Sequence, residues 1–105
     1  MLTLACSGGE QILQYQPVIE SISVSRTILC AGDFIDVSAK VSDQNAGNML
    51  TYRWRADGGF FVSMINNPTQ WHAPDAPGIH HLVLEVNDGH FAVADSIQVE
   101  VRACP

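Results

Sequence analysis

The sequence predicts an all-β chain, folded as an antiparallel sandwich of about seven short strands. Three observations carry this. Apolar and polar residues alternate with period two through most of the chain, the pattern of strands buried on one face. Clusters of Gly, Pro, Asn and Asp interrupt those runs at even spacing. Helix signals are nearly absent, since the best candidate, residues 10–16, is short and stops at Pro17.

The elements follow in order. Residues 1–16 read as an N-terminal arm and 17–105 as the folded domain. "PVIESISVS" sets Val18, Glu20, Ile22 and Val24 on one face against Ile19, Ser21 and Ser23. "DFIDVSAKVSD" sets Ile35, Val37, Ala39 and Val41 against Asp36, Ser38 and Lys40. "LTYRWRA" turns Leu50, Tyr52 and Trp54 inward, and "HHLVLEVND" does the same with Leu82, Leu84 and Val86. "DSIQVEVR" closes the domain with Ile97, Val99 and Val101 inward. "GFFVSM" and "TQWHA" add two more strands. Turns fall at 31–33, 43–48, 57–59, 66–68, 74–78 and Asp88-Gly89. Strands of this length and spacing are the pattern of an immunoglobulin-like sandwich.

Composition narrows the function classes. The 105 residues are 47% apolar and 15% charged, which suits one compact domain. A net charge of −6, with Lys40 the only lysine, supplies no basic patch for nucleic acid. No run approaches the roughly 20 apolar residues that cross a bilayer. The start, "MLTLACSGGE", resembles the tail of a bacterial lipoprotein signal. Leu4 and Ala5 precede Cys6, and Ser7-Gly8-Gly9 follow, while Thr3 stands where an aliphatic residue is usual. That resemblance implies a lipid on Cys6 as the one route to a membrane.

Several strings together resemble the PKD-type and related immunoglobulin-like repeats of bacterial surface proteins. They are "VSDQNAGNMLTYRWRADGGFF", "TQWHAPDAPGIHHLVLEVNDG" and "DSIQVEV", in that order. His80 departs from the pattern, standing where those repeats usually carry tyrosine, and Gln44, Asn45 and Asn48 partly replace loop aspartates. The resemblance implies an extracellular or cell-surface, non-catalytic module that spaces, displays or adheres. In such a sandwich the turn after the first strand and the end of the last strand lie at the same end. The order therefore pairs Cys30 with Cys104 and leaves Cys6 over; the alternatives are three reduced thiols, or a pair of Cys6 with Cys30 or Cys104 if the arm folds back along the domain.

Candidate sites are few. His80 and His81 are neighbours on one strand and project to opposite faces, while His72 and His90 belong elsewhere, so the four histidines form no constellation. No nucleophile motif or carboxylate pair points to an enzyme. Calcium is the one metal with support: Asp43, Asn45, Asn48 and Asp88 lie in two loops expected at one end. Only two of these carry charge, and Asx turns explain the same residues without a metal. For interaction, Ile12, Leu13 and Tyr15 in the arm could bury against a second copy. Of the adjacent Phe60 and Phe61, one must face outward, as a contact for protein or glycan. A carbohydrate platform needs two or three exposed rings, which these segments alone do not assemble.

Overall fold

The computed structural model describes residues 15–44 and 49–105. Eight strands run β1 Val18–Val24, β2 Ile28–Cys30, β3 Phe34–Ser42, β4 Thr51–Ala56, β5 Phe60–Phe61, β6 Thr69–His72, β7 Gly78–Asn87 and β8 Ala92–Arg102. They form two four-stranded sheets, ordered β1-β3-β6-β5 and β2-β8-β7-β4. This is the strand arrangement of an immunoglobulin-like sandwich. Leu29, Ile35, Val37, Trp54, Trp71, Leu82, Leu84, Val86, Val99 and Val101 make its buried core. Most of them are every second residue of a strand, which is why the alternation in sequence becomes one apolar layer.

Three details differ from the sequence reading. First, the face of β1 changes partway. Its pairing steps from Ile19↔Val41 to Ser21↔Lys40, so Glu20 is an extra, bulged residue. Ile19, Ile22 and Val24 therefore share the inner face, and Val18 is turned out, 51% exposed. Secondly, Cys30 closes a short strand rather than sitting in the turn. Ser25 still pairs with Asp36 across the first sheet (N to O 3.0 Å), whereas the Thr27 carbonyl accepts from Glu100 N at 2.8 Å in the second. The chain thus changes sheets within three residues without changing direction. It then lies beside β8, which runs the same way, and the β2–β8 pair is parallel. The sandwich is therefore not wholly antiparallel. Thirdly, "GFFVSM" gives only the two-residue β5, and "TQWHA" the four-residue β6.

The chain beyond β5 folds over the edge of the other sheet. Trp54 N donates to the Met64 carbonyl at 2.7 Å, covering the free side of β4. Pro68, joined to Asn67 by a cis peptide, has no N–H with which to extend the β3–β6 ladder. The Asn67 side chain does so instead: Oδ1 accepts from Ala39 N and Nδ2 donates to Ala39 O, both at 2.9 Å. One primary amide here replaces one backbone unit, and the part-buried backbone groups of Ala39 stay satisfied.

Cys30 and Cys104 are bonded, with Cα atoms 5.5 Å apart and a sequence separation of 74. The bond ties β2 to the segment that follows β8. A loop this long restricts the unfolded chain by about 4 kcal/mol in the chain-entropy account, an upper figure. We expect Cys30→Ser with Cys104→Ser to lower unfolding free energy by about 2–4 kcal/mol. Urea denaturation checks this; an unchanged midpoint would mean that the cross-link adds nothing to β2–β8 pairing.

Candidate functional site

The β6–β7 corner is built on His80. This residue is buried beside Trp71, ring centroids 5.9 Å apart. Its Nδ1 lies 3.0 Å from Asp57 Oδ1 and its Nε2 3.0 Å from the Ala76 carbonyl. Both partners, a carbonyl and a carboxylate, can only accept, so the ring nitrogens face them as donor positions. A tyrosine in this part of an immunoglobulin-like domain bonds backbone a few residues upstream; His80 does the same to Ala76, four residues back. Its second nitrogen adds a tie to the β4–β5 turn. Chiefly through the His80 hydrogen bond, the Asp57 carboxyl is held below its ordinary value of 3.8. The packing is close: a Cβ on Gly58 would meet Pro74 and His80 at 3.2–3.3 Å.

At the opposite end, Asp88 organises the β7–β8 turn. It is only 4% exposed, and its Oδ1 accepts from His90 N at 2.8 Å and Phe91 N at 2.7 Å. Asn87 Oδ1 accepts from Gly89 N at 2.6 Å, and Gly89 takes φ 93°, where a side chain would be strained. Backbone donation, from Phe91 first and then His90, holds the Asp88 carboxyl below 3.8. Its Oδ2 is enclosed without a protein partner among the described residues. Asp43 lies in the β3–β4 connection at this same end. Asn45 and Asn48 lie outside the described residues. Among those described, no three His, Cys, Asp or Glu side chains are grouped to hold a metal.

The third place is the outer face of the β1-β3-β6-β5 sheet. Register sets Phe34 opposite His72 and His72 opposite Phe60, so three rings form one row across three strands. Phe34 is 49% and Phe60 54% exposed. Their ring centroids lie 4.5 Å and 4.7 Å from that of His72, and 6.4 Å from each other at 86°. In the next row Gln70 Nε2 donates to Asp36 Oδ1 at 3.0 Å. Beyond it an open groove of about 470 Å³ runs between β3, β6 and the 62–68 segment, lined by Asp36, Ser38, Val62, Ser63, Asn66 and Gln70 among others. The other sheet's outer face is mixed: Arg55 lies 4.0 Å from Glu85 and Gln98 3.0 Å from His81, while Ile28 and Ile79, 47% and 52% exposed, flank Glu100.

The residues singled out in the sequence are thus dispersed. Phe60 faces solvent, but Phe61 is 8% exposed and packs on Trp54 at 5.7 Å between centroids. Phe61 is therefore core and not a contact residue. Tyr15 is exposed beside the start of β1; Cys6, Ile12 and Leu13 lie outside the described residues. The sequence reading missed Phe34, His72, Asp36 and Gln70. The signal was present, because Phe34 and His72 each adjoin a core residue, Ile35 and Trp71, and must therefore point outward.

No protein-family model and no curated protein matches the chain. Solved structures do. One is a nucleoside hydrolase-related hypothetical protein from Saccharophagus degradans, associated with carbohydrate metabolism. It matches with TM-score 0.61 and 17% identity over 87% of this chain and 26% of that one. Another is the D00-D0 domain of intimin, with TM-score 0.58 and 14% identity over 95% of this chain and 54% of that one. The chain therefore spans about a quarter and about half of these two. At such identities the likeness establishes the fold: an all-β immunoglobulin-like module.

The two depressed carboxyls make an acid limb of stability. A carboxyl whose folded pKa lies below its unfolded value contributes fully above the unfolded value and is lost as pH falls through the folded one. Both groups start from 3.8, so the loss begins near pH 4 and deepens below it. Asp57→Asn should lower stability at pH 7 and flatten the decline between pH 4 and pH 2. Denaturant midpoints across that range test it; a decline as steep as in the parent would show that the His80 pair contributes nothing to acid sensitivity.

Proposed function

We propose that this chain is a non-catalytic, extracellular immunoglobulin-like module of a bacterial surface or secreted protein, serving as a spacer, display or adhesion domain. One observation carries the reading. Val18 pairs with Ser42, Thr51 with Asn87 and Asn87 with Ala92, so β1 begins at the end where β8 begins. Gly78 pairs with Val101, so β8 finishes at the other end. The chain enters at one pole and leaves at the opposite one. Modules with that path stack end to end, and each adds its full length to a stalk. The Cys30–Cys104 bond supports an oxidising compartment. A lipid on Cys6 would tether the entering end, and the intimin-like fold accords with surface display.

A second reading is a subunit that self-assembles through residues 1–16. It is favoured by the position of β1, a seven-residue strand that is an edge strand of its sheet among the described residues, where another strand could add.

Two copies joined head to tail should lengthen by about 35 Å relative to one, the span of β8 at about 3.3 Å per residue. Small-angle scattering reads this directly. A pair that folds side by side, with no such increment, sinks the spacer role. Deleting residues 1–16 leaves the sedimentation behaviour unchanged under the first reading and abolishes oligomers under the second.

A further inference from the structure

We propose that the outer face of the β1-β3-β6-β5 sheet binds a neutral polysaccharide. The inference goes beyond the surface-module reading, since it concerns the chemistry of one face wherever the module is displayed. A sugar ring presents two kinds of surface, axial C–H groups that pack on aromatic rings and equatorial hydroxyls that need paired donors and acceptors. This face carries both, in adjacent rows of one rigid sheet.

Phe34 and Phe60 flank His72 and lie 6.4 Å apart at 86°. They form a step in which one ring is a floor and the other a wall, suited to one sugar unit rather than to a flat stack. One row away, the bond from Gln70 Nε2 to Asp36 Oδ1 fixes two planar groups side by side. That bond leaves Asp36 Oδ2 and Gln70 Oε1 as acceptors, a pair that matches neighbouring hydroxyls. The groove of about 470 Å³ continues the track past Ser38, Ser63 and Asn66 over an apolar floor that includes Val62 and Pro68, within the size range of small-molecule sites.

Charge selects among glycans. The chain carries −6, and Asp36 stands in the middle of the face, so uronate or sulfate groups are repelled. Val62, 61% exposed, adds an apolar group beside Asp36 and Gln70. The occupant is assigned by the paired acceptors next to the rings, which together match a sugar's hydroxyls and C–H face. The backbones that carry these groups are strands, so the arrangement needs no ordering on binding.

Native gel electrophoresis of the purified chain tests this, with galactomannan, xylan or a soluble β-glucan in the gel and alginate as the anionic control. The parent chain should be retarded by at least one neutral polymer and not by alginate. Phe34→Ala and Phe60→Ala should each weaken retardation about tenfold. Gln70→Ala should weaken it severalfold, and Arg53→Ala on the opposite sheet should leave it unchanged. Thermal melts of each variant show that the sandwich is intact. No retardation by any of the neutral polymers, retardation by alginate alone, or retardation indifferent to Phe34→Ala and Phe60→Ala overturns the proposal. So does concentration-dependent dimerisation that Phe60→Ala abolishes, which would assign the face to a second copy.

Discussion

Trp54 and Trp71 are both wholly enclosed between the sheets, and each carries an N–H for which an apolar core holds no acceptor. The acceptors come from outside it. Trp54 Nε1 donates to the Asn66 carbonyl at 2.8 Å and Trp71 Nε1 to the Gly58 carbonyl at 3.1 Å. An unpaired indole N–H in such a place would cost about 1–3 kcal/mol. The requirement pulls two connections, 57–59 and 62–68, tightly against the same edge. Gly59 follows from it: at φ 67°, a Cβ there would strike the His72 carbonyl and the Trp71 ring. The shortness of β5, the cover over β4 and the place of His80 all lie downstream of those two rings.

The same packing decides what the outside looks like. With Trp71, Ile35 and Phe61 committed inward, the pleat forces His72, Phe34 and Phe60 outward. Antiparallel pairing then aligns them in one row. No row of three rings arises on the other sheet, where Arg53 pairs with Glu85 and Arg55 with Val83. The asymmetry between a ringed face and a mixed one is therefore a product of register, and not of any one segment.

This also explains what could be read from the sequence. Ile35 to Val41, Leu82 to Val86 and Ile97 to Val101 each keep strict alternation, and each was assigned its correct face from period alone. β1 was not, because its apolar residues at 18, 19, 22 and 24 fit two phases and only a bulge reconciles them. β2 is too short for any period to show. The Asp88-Gly89 turn was legible as local chemistry, an aspartate oxygen accepting nearby N–H groups. The aromatic face was legible residue by residue but not as a site. Its row depends on which segments lie side by side, and alternation is silent about that.

The disulfide has a mechanical consequence. If the module stands in a stalk, as proposed, tension enters it at one pole and leaves at the other. In the oxidised chain that tension passes from Cys30 directly to Cys104. β3 to β8 lie on the loop that the covalent path bypasses and take load only through their pairing with β1 and β2. Only β1 and β2 are on the covalent path, so a strong pull can peel them from β3 and β8 and then meets a covalent stop. The bond thus limits how far the module can be drawn out, and the aromatic strands β3, β5 and β6 stay folded while the chain is under load.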